Sequence, residues 1–309
     1  MSAVSLKLKR GNKKSLGHRI KKNAISYVLS LPYFIIFFIF TVCPVLISIF
    51  LSFTTFNVLE APVFIGIENY ARMFLDDDVF IIAIKNTFIL AAITGPVSYG
   101  LSLAVAWLIN DLNRFMRAFI TVIFFAPSLS GNVLLIWTVL FSSDAYGYAN
   151  GMLMNLGIIN QPIRWLQDPQ YMMTIVIIVV LWSSLGTSFL SFIAGLQGIN
   201  RSYYEAGAID GIRNRWQELW YITLPAMRPQ LMFGAVMSIS SAFSIGDVVT
   251  GLVGFPSTDY AVHTIINHLQ DYGGIRYEMG YASAIATVLF LAMVITNRVV
   301  RNLLSKVGE

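Results

Sequence analysis

Six stretches of this chain are too long and too apolar to be the interior of an ordinary soluble protein. They cover residues 24–53, 79–109, 117–141, 172–197, 226–250 and 279–300. A hydrocarbon layer about 30 Å thick is crossed by about 20 helical residues. Backbone donors and acceptors inside it must bond within the protein, so only helices and closed barrels can span it. Barrel strands would alternate apolar and polar residues, and these runs do not. The expectation is an all-α, polytopic membrane protein with six transmembrane helices. Composition agrees: 56% of residues are apolar and 12% charged, with mean hydropathy +0.68, whereas soluble domains carry about 25% charge.

Basic residues orient the spans. The segment 1–23 holds Lys7, Lys9, Arg10, Lys13, Lys14, Arg19, Lys21 and Lys22 and no acid. Alternate connections continue the bias with Arg114 and Arg117, then Arg201, Arg213, Arg215 and Arg228, then Arg298, Arg301 and Lys306. The opposite connections hold only Arg72, Arg164 and Arg276, so the split is seventeen to three, with Lys85 near an outer span end. Positive charge stays on the cytoplasmic side, which places both termini there, including the tail 301–309. The first apolar run is longer than a signal-peptide core and no small-residue cleavage pattern follows it, so it reads as an uncleaved anchor.

Between spans four and five lies a polar island, 200–225. Asn200–Ser202 can start a helix that runs to Asp210, and Gly211 permits a turn at positive φ. Asn214 can cap a second helix, which carries Trp216, Leu219 and Trp220 on one face. Pro225 ends that run by removing a backbone donor.

Glu205, Ala206, Gly207, Asp210, Gly211, Ile222, Leu224 and Pro225 in this island resemble the EAA loop of the permease subunits of binding-protein-dependent type I ABC importers. The resemblance implies that the loop docks on a separate ATPase subunit and transmits its closure to the membrane helices. Two departures stand out. Alanine is usual in the family where Gly207 stands, and its absence is expected to loosen that helix. Ten residues separate Gly211 from Ile222, one more than the common spacing, and the extra residue falls within 212–215. The implied partners are a second homologous permease, two copies of the ATPase, an extracytoplasmic solute-binding protein and membrane lipid, with no nucleic acid. No cofactor is implied for this chain, and ATP and Mg would sit on the ATPase.

Other elements resemble the carbohydrate and oligosaccharide branch, in the position of the first permease of maltose-type transporters. These are Gly66-Ile67-Glu68-Asn69-Tyr70, Gly147…Asn150…Leu153…Leu156-Gly157, Trp165-Leu166-Gln167-Asp168-Pro169, and Gly280-Tyr281-Ala282-Ser283-Ala284-Ile285-Ala286. Sugars need hydroxyl partners and aromatic faces. Span four offers Trp182, Ser183, Ser184, Thr187 and Ser188; span five offers Ser240, Ser241, Phe243, Ser244 and Asp247. By resemblance Trp182, Thr187, Ser240, Phe243 and Ser244 match positions that hold sugar in maltose-type permeases, and Asp247 stands where that pattern more often has an amide; together with Ser183 and Ser184 they are the candidates for the solute path. From the residues alone the serines can equally serve close helix packing and Phe243 the core. Asp247 faces a cavity, a partner charge or outer solvent.

Several chemistries lack support. No Gly-x-x-x-x-Gly-Lys-Ser/Thr loop is present to cradle triphosphate. The single cysteine, Cys43, excludes an intrachain disulfide. His263 and His268 are spaced poorly for a shared metal on a helix, and no catalytic constellation of Ser, His and Asp or of paired carboxylates lies within a span. The open alternatives are an importer permease for an amino acid, phosphate or glycerophosphodiester and, remotely, an intramembrane enzyme or receptor.

Overall fold

A computed structural model describes residues 23–130 and 133–304. The basic segment 1–22 and residues 305–309 lie outside the described residues. Four helices are long and apolar enough to cross a membrane: Ala24–Leu51 (α1), Asp78–Asn110 (α3), Pro169–Gln197 and Met279–Leu304. Two bent pairs, Arg114–Leu129 with Val133–Leu140 and Arg228–Phe243 with Gly246–Val253, bring the total to six if each pair is one span.

The chain divides into two compact units, residues 1–50 and 51–309. The first carries α1, whose ladder loosens into a π turn at Phe38–Val42. Pro44 follows directly; it has no N–H for the carbonyl one turn back and its ring crowds that turn.

The second unit is built around α3. Its N-terminal third packs Phe80 and Ala83 with Met73, Ile265, Tyr281 and Ile285. Its middle places Leu90 with Met172, Val176, Val179 and Val249. Its far end sets Ala106 and Ile109 against Phe189, Phe192, Met227 and Leu231. One helix therefore touches all three buried clusters, and short helix α2 (Glu68–Leu75) leads into it. Asp77 caps α3 through the Phe80 N–H at 2.9 Å, as a carboxylate at a helix start should.

The sequence elements outside the spans act as staples. Buried Asn69 donates to the carbonyls of Ser52 and Thr54, both at 2.9 Å, fixing the two-residue strand Thr54–Thr55 (β1), which pairs antiparallel with Val63–Phe64 (β2). Gly280 lets the start of the last helix approach the Thr54 carbonyl so closely that a Cβ would collide with it. Asn150 is fully buried. Its amide nitrogen donates to Ser142, Asp144 and Ile163 carbonyls, and its oxygen accepts from the Ile163 N–H and the Trp165 indole. One side chain thus holds the whole 142–165 loop, which costs far less than leaving those groups unpaired in the interior.

Candidate functional site

Two places carry the functional geometry. The first is the 200–225 loop. Helix α9 (Arg201–Ile209) starts at Asn200, whose side chain accepts from the Ser202 N–H at 3.0 Å. Gly211 adopts φ +94°, the conformation that favours glycine. Asn214 accepts from the Gln217 N–H at 2.9 Å while the Gln217 side chain accepts from the Arg213 N–H at 2.9 Å. This reciprocal box starts α10 (Arg215–Glu218). The helix continues through a π turn, Leu219–Thr223, again just ahead of a proline, Pro225.

Gly207 is the buried residue of α9. A methyl there would come within 2.6 Å of Ile222 Cδ1 and 3.1 Å of Ile212 Cδ1. The space an alanine methyl would fill is occupied by two isoleucine side chains. Tyr204 and Thr223 hydroxyls share a hydrogen bond at 3.0 Å, closing the two arms together.

Glu205 and Ala206 lie exposed on α9, and Asp210, its C-terminal cap, Gly211 and Pro225 are exposed beyond it. Leu224 and Ile222 are half-buried. Glu205 pairs with Arg201, at 3.4 Å, on a solvated face. The loop is anchored instead by Arg215, which pairs with Asp111 and stacks over Trp107 at 4.8 Å. Trp216 lies 5.1 Å from Trp107, ring to ring. Between the loop and the ends of the spans runs a polar groove of about 650 Å³ that includes Arg117, Arg201 and Arg215.

The second place is a cavity of about 280 Å³ at the level where three spans lose their helical ladder. Here α4 (Arg114–Leu129) ends at Ser130. The fourth span breaks at 183–186, between α7 (Pro169–Trp182) and α8 (Thr187–Gln197). The fifth bends by 43° between α11 (Arg228–Phe243) and α12 (Gly246–Val253). Backbone that leaves the helix at membrane depth is tolerated where it lines a polar cavity.

Ser183, Ser184, Thr187 and Ser244 all line this cavity, joined by Thr94, Ser98, Ser128, Ser188, Ser238 and Ser241. Four expected path residues do not. Phe243 is 3% exposed, edge-on to Phe88 at 5.7 Å, and belongs to a separate apolar cavity beside Pro96 and Tyr99. Trp182 packs edge-on against Trp137 at 5.2 Å. Asp247 accepts from the Gln270 amide at 3.1 Å near the cavity rim. Ser240 is half-buried and not in the cavity wall. The wall residues from α3 and α4 escaped sequence reasoning. The available signal was Pro96 between Thr94 and Ser98, and Pro127 before Ser128: prolines inside apolar helices beside hydroxyls mark loosened backbone.

Residues 97–309 match the family of binding-protein-dependent transport system inner membrane components. That stretch is more than half of the chain and contains the loop and nearly all of the cavity wall. The chain belongs to this family. The permease is 33% identical over 277 residues to the probable ABC transporter permease protein YesP of Bacillus subtilis (strain 168), covering 88% of this chain and 87% of that one. It is 32% identical over 214 residues to the lactose transport system permease protein LacF of Rhizobium radiobacter, covering 68% and 70%. With the arabinooligosaccharides transport system permease protein AraP of B. subtilis it shares 28% over 280 residues, covering 89% and 87%. Among solved structures it superposes on a chain of a bacterial ABC transporter that imports the acidic polysaccharide alginate, with TM-score 0.73, 25% identity and coverage of 94% and 99%.

Proposed function

We propose that this permease forms half of the translocation path of an ATP-driven importer for a sugar or oligosaccharide. It works beside a second homologous permease, with two ATPase copies on the cytoplasmic side and a solute-binding protein outside. Both termini and the 200–225 loop face the cytoplasm, in keeping with the distribution of Lys and Arg. The exposed Glu205–Asp210 edge of α9 seats on the ATPase, and the Arg215 contact with Asp111 passes the ATPase's closure to α3. Hydrolysis belongs to the ATPase; this chain moves the solute unchanged.

The observation that carries the sugar reading is the hydroxyl-walled cavity where three broken spans meet. Hydroxyls at the broken ends of membrane helices give a polyhydroxylated solute the hydrogen bonds it loses on leaving water. Relatives named for lactose and arabinooligosaccharide transport support the same reading.

The test is solute uptake by cells deleted for this chain and complemented with wild type or Ser244→Trp. Wild type should restore accumulation of at least one saccharide. The tryptophan variant should insert and assemble normally yet leave uptake at background. Normal saccharide uptake through the tryptophan variant would place this cavity outside the path.

A further inference from the structure

The groove of about 650 Å³ at the root of the 200–225 loop has two kinds of wall. One is cationic, with Arg117, Arg201 and Arg215; the other is apolar, with Trp107, Leu196 and Ile199. Asp111 and Glu218 also line it, so three arginines face two carboxylates.

The three arginines are not equally committed. Arg215 pairs with Asp111. Arg201 is 91% exposed and pairs with Glu205, which lies outside the groove wall. Arg117 stands in the first turn of α4 and is half-buried. Its guanidinium donates through Nη1 to the Asn110 carbonyl at the end of α3, at 2.9 Å. That bond uses one of five N–H groups, and no carboxylate among the described residues meets its charge. A half-buried guanidinium with donors to spare is matched by a phosphate, which accepts charge-assisted hydrogen bonds from it.

The apolar wall says what carries the phosphate. Trp107 touches Trp216, ring centroids 5.1 Å apart. Trp216, Trp220 and Tyr221 are themselves 71%, 66% and 68% exposed. Aromatic rings presented to the outside beside the ends of membrane spans sit at headgroup level. A small soluble anion would leave Trp107, Leu196 and Ile199 uncovered. A phospholipid sets its phosphate at Arg117 and lays its glycerol and first chain carbons along that wall.

The geometry points to a headgroup site for an anionic phospholipid of the cytoplasmic leaflet, between the start of α4, the ends of α3 and α8, and the loop. Basic recesses between span ends on that side suit anionic headgroups. The lipid joins α4 to the loop, a second tie beside the Arg215–Asp111 pair. This assignment rests on the reading that the loop faces the cytoplasm and couples to an ATPase.

The experiment uses the whole importer, purified through a tag on this chain and stripped of lipid by extended detergent washing. It is titrated with phosphatidylglycerol or with phosphatidylcholine of identical chains, and native mass spectrometry reads the bound lipid. Phosphatidylglycerol should bind about tenfold tighter than phosphatidylcholine. Arg117→Gln should weaken it about tenfold, the equivalent of one lost charge-assisted hydrogen bond. Glu218→Gln removes a like charge and should tighten it. Equal binding of the two lipids, or unchanged phosphatidylglycerol binding by Arg117→Gln, would overturn the assignment. Weakening by both substitutions would overturn it too, because shape rather than charge would then govern the site. Glycerophosphoglycerol, the same headgroup without chains, should fail to displace the lipid at the same concentration; displacement would mean that the groove takes a soluble phosphate ester instead. Purification without any ATPase would contradict the importer reading, whereas lost lipid selectivity with the ATPase present would contradict this inference alone.

Discussion

The Arg215 guanidinium pairs with the Asp111 carboxylate, tying the 200–225 loop to the end of the long central helix α3. The same guanidinium lies 4.8 Å above the Trp107 ring. Both charged partners are about half exposed, so the pair contributes about 0–1 kcal/mol to stability. Under the proposed coupling its value is mechanical: it is a lateral tie between the 200–225 loop and a helix that reaches all three cores. Arg215→Ala should shift the melting temperature by only a few degrees while ATP-driven uptake drops several-fold. Swapping the charges, Asp111→Arg with Arg215→Asp, should recover part of the uptake. Measuring uptake and melting on the same preparations separates the two effects.

Glu205 offers a cleaner probe of the partner surface. Its ion pair with Arg201 is largely solvated on both sides. Arg201→Ala is therefore expected to be close to neutral. Glu205→Lys should abolish ATPase association or uncouple it from uptake, with membrane insertion intact. Normal uptake in the lysine variant would mean that this edge of α9 touches no partner.

Steric reasoning at Gly207 gives a paired test. Alanine gains about 1 kcal/mol in helix propensity, but its methyl would stand 2.6 Å from Ile222 Cδ1, and overpacking costs about 1–3 kcal/mol. Gly207→Ala should reduce ATPase recovery, and adding Ile222→Val, which removes the offending carbon, should restore it. Retention of the co-purified ATPase through a wash series reads both variants.

Acid should loosen the 255–281 region in two stages. Burial, with neighbouring His268 adding to it, holds the His263 imidazole down to about 4. An unfolded histidine takes up its proton near 6.5, so the folded state loses stability as pH falls from about 6.5 to about 4. Asp77 follows at lower pH. Burial alone would raise its carboxyl, but hydrogen bonds from His268, the Phe80 N–H and Tyr281 hold it well below the ordinary carboxylate range. Its contribution is present above about pH 4 and is lost as pH falls through that depressed range. Thermal unfolding in detergent across pH should show the first slope, and His263→Phe should flatten it without touching the second.

The spans were legible because the bilayer imposes a length and a polarity that no other environment demands. The loop was legible because its turn needs a glycine at positive φ, and Gly211 supplies one at +94°. What the sequence hid was the partner of each residue. Phe243 and Ser244 are neighbours in one motif, yet a helix end separates them: the ring turns into the core and the hydroxyl into the cavity. Gly207 looked like a missing methyl because Ile222, fifteen residues on, fills its place. Asn69 and Asn150 read as loop features, whereas each is a buried polar knot of its loop. Such pairings depend on tertiary neighbours, which periodicity and turn chemistry do not encode.

The central claim is that this chain is one half of a paired path driven by a separate ATPase. Its most direct test is affinity purification of the tagged full-length chain from native membranes, in a detergent that preserves a known complex, followed by mass spectrometry. The account predicts recovery of a second homologous permease in equal amount and of a nucleotide-binding ATPase in twice that amount. Recovery of this chain alone, or with copies of itself and no ATPase, would contradict it.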